Sequence, residues 1–78
     1  MKKVTIEYCG QWGYFNAALR LSEELKREFG YSVDLIKGSG GVFEVTLEGS
    51  LIFSKKTEGR FPEGDEVQGF IRGLEEVS

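Results

Sequence analysis

The chain contains no histidine and one cysteine among its 78 residues, and these two shortages exclude several kinds of chemistry. Without histidine there is no Ser-His-Asp triad, no Cys-His pair and no imidazole ligand for a metal ion. With Cys9 alone no disulfide can form within the chain, whereas small secreted domains usually carry several cysteines as cross-links. We therefore expect a cytoplasmic protein without a metal site.

Long apolar runs are also missing, and so is any excess of positive charge. No stretch approaches the ~20 apolar residues that cross a bilayer, and residues 1–3 lead into an alternating segment instead of the apolar core of a signal peptide. The chain has 13 acidic and 10 basic side chains, a net charge of −3. Nonspecific nucleic-acid binding relies on clustered lysine and arginine, so we expect no nucleic-acid partner and no membrane segment.

The pattern of apolar residues predicts one α/β domain over residues 1–78, because a chain of this length can bury a single core. Strict alternation indicates strands, and steps of three and four residues indicate helices. The predicted order is β-α-β-β-β-α. The strands are expected at 4–8, 31–37, 43–47 and 51–55, and the helices at about 14–29 and from about 65 onward.

The order of the elements also predicts how the strands pair. A right-handed crossover through the first helix would lay the second strand parallel to the first. The dipeptide Glu48-Gly49 suits the turn of a hairpin between the third and fourth strands. We therefore expect a four-stranded mixed sheet with the first strand in its interior and two helices on one face.

The last predicted helix carries apolar residues at helical spacing together with two glycines. Its apolar face would consist of Val67, Phe70, Ile71 and Leu74. Gly69 and Gly73 would let this helix approach the sheet closely.

Cys9 is the one side chain on which a chemical argument can centre. It ends the predicted central strand just before a helix, which is where open α/β sheets bind their ligands. Unpaired N–H groups and the positive end of the helix dipole would favour the thiolate, the nucleophilic form, over the thiol. The alternative is that Cys9 is simply a small buried hydrophobic residue.

The segment around Cys9 resembles the redox loop of the selenoprotein W family, also called the Rdx family. In that family a strand leads into C-x-x-U or C-x-x-C and then into a helix, and here residues 6–14 read I-E-Y-C-G-Q-W-G-Y. Three further blocks resemble the family in the same order: G-S-G-G-V-F-E-V at 38–45, L-I-F-S-K-K at 51–56 and G-R-F-P at 59–62. The ordered set covers nearly the whole chain and is much more specific than the two-residue motif alone.

The resemblance implies a thioredoxin-like fold and a thiol- or selenol-dependent redox protein. Cys9 would form mixed disulfides with glutathione or with a client protein, glutathione being a co-substrate, so that no bound cofactor is expected. The resemblance also implies a set of binding residues at and beside the redox loop: Gly10, Gln11, Gly13, Ser39, Gly40 and Phe61.

Trp12 departs from the family pattern, which has selenocysteine or cysteine at this position. A tryptophan cannot resolve a mixed disulfide, because resolution needs a second sulfur or selenium. If Trp12 is genuine, the protein is a monothiol or a non-catalytic binding module with a contact surface at Trp12, Tyr14 and Phe61. Alternatively, Trp12 replaces a selenocysteine. The codons of the two residues, UGA for selenocysteine and UGG for tryptophan, differ by a single base.

Overall fold

The elements follow one another as predicted, with one addition. The computed structural model describes residues 2–11 and 13–77, apart from the side chains of residues 76 and 77. The strands and helices are β1 (Lys3–Cys9), α1 (Tyr14–Phe29), β2 (Ser32–Gly38), β3 (Phe43–Leu47), β4 (Ser50–Ser54), α2 (Lys55–Glu58) and α3 (Glu66–Val77). Among the described residues, no helix is long and apolar enough to cross a membrane.

The short helix α2 corrects the prediction of two helices, because the described part of the chain forms three. Ser54 caps its start, where the side-chain oxygen accepts a hydrogen bond from the backbone N–H of Thr57 at 3.4 Å. Gly59 ends it in the left-handed conformation with φ of 76°. A single turn is too short to show apolar periodicity, so its only signal in the sequence is the pair of capping residues.

The sheet has the strand order β2-β1-β3-β4, and β1 is therefore an interior strand as predicted. β1 runs parallel to β2, with Val4 opposite Val33, and antiparallel to β3. The β3–β4 hairpin closes through Glu48 and Gly49, whose φ angles are 50° and 85°. Both angles are positive, as the tight hairpin turn requires, so the predicted turn is confirmed.

The core lies between one face of the sheet and the helices α1 and α3. Alternation along β1 turns Val4 and Ile6 toward this side, where both are fully buried. Each such side chain contributes about 1.5–3 kcal/mol when it leaves water. The buried cluster comprises Val4, Ile6, Ala18, Leu21, Leu25, Tyr31, Phe43, Val45, Leu47, Phe53, Val67 and Ile71.

Helix α3 buries two of the four residues predicted for its apolar face. Val67 and Ile71 are buried, but Phe70 is 51% exposed and Leu74 is 40% exposed. Gln68 is buried in their place, at 4% exposure. The helix is thus rotated so that a polar side chain, and not Phe70, faces α1.

The two glycines of α3 do not mediate close packing, and that prediction is wrong. Gly69 and Gly73 are both exposed, and a Cβ atom added at either position would meet no atom within 4 Å. They lie on the side of α3 that faces away from the buried Val67 and Ile71. They therefore weaken the helix without contributing to the core.

Candidate functional site

Cys9 is held at the end of β1 by the backbone on both sides. It pairs with Gly38 at the end of the parallel strand β2. Its own N–H donates a hydrogen bond of 2.7 Å to the carbonyl of Val42, just before β3. The thiol is free, and Cys9 is only 3% exposed. The segment 9–13, called the redox turn below, therefore starts from a fixed and buried cysteine.

The redox turn passes into α1 through a glycine. Gly13 has φ of 91° and stands before the first helical residue without a side-chain cap. The N–H of Tyr14 donates to the carbonyl of Gln11 at 3.3 Å, and that of Ala17 donates to the carbonyl of Gly13 at 3.2 Å. The first turn of α1 carries no acidic side chain, so its positive dipole end stays available to an anion such as a thiolate. Of the predicted site residues, Gly10, Gln11 and Gly13 are exposed here, while Trp12 lies outside the described residues.

The glycine-rich loop that joins β2 to β3 lies beside the redox turn. Gly40 and Gly41 follow one another in the left-handed region, with φ of 71° and 75°. A Cβ at Gly41 would lie 3.3 Å from the hydroxyl oxygen of Tyr14, so the loop backbone passes close to the start of α1. The structure thus brings the predicted residues Ser39 and Gly40, both exposed, to the same end of the sheet as Cys9.

Phe61 joins the same end of the sheet through aromatic contacts. Its ring meets Tyr14 edge-on at a centroid distance of 5.0 Å and Phe43 at 5.3 Å. The Lys55 ammonium lies 5.6 Å from the Tyr14 ring centre and 5.5 Å from that of Phe61. Tyr14, Phe43, Phe61 and Lys55 are called the aromatic cluster below. The cluster ties the loop before α3 to the start of α1, and Trp12, the third predicted contact residue, lies outside the described part of the chain.

Two charged side chains that the sequence did not single out, those of Glu7 and Lys37, border the redox turn. A Cβ at Gly38 would lie 2.7 Å from Oε2 of Glu7, and the side chain of Lys37 lies across Gly10. The sequence could have indicated Glu7 through its spacing from Cys9. Residues two apart on a strand lie on the same face of the sheet, and Glu7 is two residues before Cys9. The signal for Lys37 is its place one residue before Gly38, at the end of the strand paired with β1.

A cleft of about 510 Å³ opens between α1, the loop 59–65 and α3. Leu21, Phe43 and Phe61 form apolar parts of its wall, and Gln68 lines it as well. The Nε2 group of Gln68 donates to Oε1 of Glu24 at 2.7 Å. Its Oε1 atom is buried and has no hydrogen-bond donor among the described residues. Sequence reasoning missed this cleft, since the amide is held by a residue of another helix.

Ion pairs hold the loop 59–65 against the start of α3. Arg60 donates to both carboxylate oxygens of Glu66, at 2.7 and 3.0 Å, and lowers the pKa of Glu66 to about 2. Arg72 bridges Asp65, at 2.6 Å, and Glu28, at 2.9 Å. The Arg72 guanidinium holds the pKa of Asp65 below its usual value. The carboxylates of Asp65 and Glu66, beside the cleft, are therefore ionised at neutral pH.

Comparison with known sequences identifies relatives that share most of this chain. Residues 3–73 match the model of the Rdx family. Selenoprotein W of Mus musculus is 43% identical over 58 residues, which are 68% of this chain and 65% of that protein. Migration and invasion enhancer 1 of Mus musculus is 33% identical over 70 residues, which are 88% of this chain and 61% of that protein. The chain spans less than two thirds of the length of either relative.

Comparison with solved structures gives the same result for the fold. The crystal structure of a selenoprotein W-related protein from Vibrio cholerae matches with a TM-score of 0.83 and 32% identity, over 94% of this chain and 95% of that one. A crystal structure from Bordetella parapertussis matches with a TM-score of 0.86 and 29% identity, over 94% and 96% of the two chains. The α/β fold with its four-stranded mixed sheet is thus thioredoxin-like, as predicted, and suggests a redox-related protein. The chain belongs to the Rdx family, the family of selenoprotein W.

Proposed function

We propose that this chain is a thiol-dependent redox protein of the selenoprotein W type. Cys9 would form mixed disulfides with glutathione or with a client protein in the cytoplasm, where glutathione is abundant. The observation that carries the proposal is the position of Cys9 in an Rdx-family chain, at the end of the interior strand directly before α1. The exposed glycine-rich loop beside it leaves room for a peptide backbone, which suits glutathione as well as a client.

The proposed reaction is thiol–disulfide exchange. The Cys9 thiolate attacks one sulfur of oxidised glutathione, a new disulfide forms, and the other glutathione leaves as a thiolate that takes up a proton from water. Because Trp12 carries neither sulfur nor selenium, the mixed disulfide must be resolved by an external thiol such as reduced glutathione. If the native residue at position 12 is selenocysteine, its selenolate would attack the mixed disulfide from within the chain.

Burial of Cys9 adds one requirement, because a cysteine with 3% exposure must be uncovered before it reacts. The part of the chain that must move is the redox turn, which contains Gly10 and Gly13. The side chains of residues 8–11, 13 and 37–42 make no hydrogen bonds among the described residues. Among the described residues, opening this turn therefore breaks backbone hydrogen bonds, such as that from Tyr14 to Gln11, and no side-chain hydrogen bond.

The test is incubation of the folded chain with oxidised glutathione, followed by intact mass measurement. We expect one glutathione adduct, which Cys9→Ser abolishes and which an excess of reduced glutathione removes. A peptide with one cysteine serves as the reactivity control. If the folded chain stays unmodified while the control peptide is fully modified, the redox function is refuted.

A second candidate function is a non-catalytic binding module, and the burial of Cys9 favours it. In that case the aromatic cluster, with Tyr14 and Phe61 in contact at 5.0 Å, would serve as a contact surface together with Trp12. The same experiment in urea separates the two functions. A binding module gives an adduct only when the chain is unfolded, whereas the redox protein gives it in the folded state as well.

A further inference from the structure

The cleft between α1 and α3 contains a buried polar group that lacks a hydrogen-bond partner. Gln68 is 4% exposed, and its Oε1 atom has no donor among the described residues. The orientation of this amide follows from its neighbour, because the Glu24 carboxylate only accepts hydrogen bonds and so requires the NH₂ group at 2.7 Å. The oxygen must therefore be the unpaired end. A buried acceptor without a donor is unfavourable, and a ligand that brings an N–H or O–H group would remove that cost.

The walls of the cleft restrict the chemistry of such a ligand. Leu21, Phe43 and Phe61 offer apolar and aromatic surface. The charged lining residues have both signs: Arg20 and Glu24 lie one turn apart on α1, and Asp65 precedes α3. A strongly anionic ligand would meet the two carboxylates, and a strongly cationic one would meet the guanidinium. The lining thus suits a neutral ligand that combines apolar groups with hydrogen-bond donors.

The cleft is also continuous with the surface around the redox turn. Phe61 lines the cleft and contacts Tyr14, the first residue of α1 after the redox turn. A polypeptide chain lying along Phe61 would therefore pass from the cleft toward the redox turn. The volume of about 510 Å³ falls within the ~300–1,000 Å³ typical of ligand sites.

We propose that this cleft binds an extended apolar segment of a client polypeptide, with Gln68 Oε1 accepting a backbone N–H of that segment. The proposal rests on the proposed function, because it names a binding site for the client whose disulfide would react with Cys9. Since Gln68 Oε1 is buried, its amide must turn toward the cleft as the peptide enters. The NH₂ group then gives up its 2.7 Å bond to Glu24, a half-buried carboxylate that water can reach. Glu24 and Gln68 are positioning and binding residues in this account, and neither takes part in thiol exchange.

The test uses the full chain, labelled with ¹⁵N, and the neutral probe peptide acetyl-Gly-Phe-Leu-Gly-amide. Titration followed by NMR should shift the Gln68 side-chain amide together with backbone signals of α1 and of the loop 59–65. The same peptide methylated at every backbone nitrogen should bind at least fivefold more weakly, because it offers no N–H donor. Equal affinity of the two peptides, shifts confined to other surfaces, or the lack of any shift would overturn the proposal.

Variants distinguish the cleft from a general apolar surface. Gln68→Met and Ala17→Trp should each weaken peptide binding at least fivefold, the first by removing the acceptor and the second by filling the cleft. Phe70→Ala on α3 and Glu23→Trp on α1 are matched controls at exposed positions outside the lining, and they should bind the peptide as the parent chain does. Peptide affinity unchanged in both cleft variants would overturn the proposal, and melting curves show that each variant is folded.

A third pair of measurements separates this proposal from the proposed redox function. Cys9→Ser should bind the peptide unchanged, and Ala17→Trp should still form the glutathione adduct. Failure of the adduct with intact peptide binding would refute the redox function alone. Decanoate and reduced glutathione are tested as competing occupants, and a cleft that takes up either one but not the peptide would overturn the proposal.

Discussion

Backbone hydrogen bonds hold both ends of β1, and at the amino end side-chain contacts add to them. At the amino end, side chains connect the strand to its surroundings: Lys2 pairs with Glu75 at 3.2 Å, and Lys3 pairs with Asp34 at 2.8 Å. The hydroxyl of Tyr31 donates to the same Glu75, which ties α3 to the start of β2. At the carboxyl end Cys9 is held by backbone contacts, including the 2.7 Å bond to Val42.

This difference separates the part of the molecule that maintains the fold from the part that can change. Side-chain contacts at the amino end join β1, β2 and α3, so opening that end disrupts three elements at once. At the carboxyl end, glycines and backbone bonds allow local opening at a smaller cost in free energy. A thiol that must be uncovered to react is better placed at the second end.

The largest expected effect comes from removing the aromatic ring at the amino end. Tyr31 is 7% exposed and stacks on Phe29 at a centroid distance of 5.0 Å. Tyr31→Ala should lower the free energy of unfolding by about 3–4 kcal/mol, as for other large aromatic truncations. Tyr14→Ala, at the half-buried ring of the other end, should cost about 1–2 kcal/mol. Urea unfolding measures the loss of unfolding free energy in each variant. Equal losses would contradict the proposed difference between the two ends of β1.

A smaller effect is expected from adding a methyl group at the carboxyl end. A Cβ at Gly38 would come within 2.8 Å of Val42 Cγ1 and still closer to Glu7. Gly38→Ala should therefore destabilise the chain by about 1–3 kcal/mol and slow glutathione addition at the neighbouring Cys9. The matched control is Gly73→Ala in α3, which has open space and should stabilise the chain by about 0.5–1 kcal/mol. A destabilising Gly73→Ala would show that α3 packs more closely than described.

The amino end should also become weaker at alkaline pH. Burial and the hydrogen bond to Glu75 raise the pKa of Tyr31 to about 12, above its usual 10. Because the folded pKa is the higher one, this stabilisation is complete below pH 10 and is lost as the pH rises from 10 to about 12. Urea midpoints should fall over that interval and fall less in Tyr31→Phe. Tyr14→Phe, with the same number of tyrosines, should follow the parent chain.

The smallest effect is expected from the acid side of the same contact. Hydrogen bonds from Tyr31 and Lys2 lower the pKa of Glu75 below its usual 4.5. The stabilisation is present above pH 4.5 and is lost as the pH falls through the lower folded value. In Glu75→Gln the urea midpoint should decline less steeply as the pH falls below 4.5. In Lys2→Met the decline should lie between those of the parent chain and of Glu75→Gln. If the urea midpoints of all three chains depend on acid pH in the same way, Glu75 does not contribute to this stabilisation.

Elements with a clear period could be predicted from the sequence, and features that depend on contacts between elements could not. Apolar residues at steps of three and four gave the bounds of α1, and the order of the elements gave the pairing of β1. Phe70 matched the apolar spacing of α3 but is exposed, because the rotation of a helix depends on the surface it packs against. Gln68 looked like an ordinary polar residue, since its partner Glu24 lies 44 positions earlier in another helix.

The candidate site was predicted to a similar extent. The position of Cys9 at the end of a strand followed from the pattern of the residues, whereas Gly40 and Phe61 were included because of the resemblance to the Rdx family. The sequence left the burial of Cys9 open, because a lone cysteine at the end of a strand can be either a reactive thiol or a small buried residue. The structure leaves it 3% exposed. Glu7 was missed, since nothing in its own segment shows that Gly38 leaves space for its carboxylate.

The interior position of β1 has a consequence for synthesis on the ribosome. β1 is made first, yet its partners β2 and β3 end at Gly38 and Leu47. At about 5–20 residues per second, the 38 residues from Cys9 to Leu47 take about 2–8 s to add. During that time Val4 and Ile6 belong to an unpaired apolar strand in the nascent chain. β1 is thus synthesised before both of its neighbours, and until they follow it is a suitable target for a chaperone that binds extended chains.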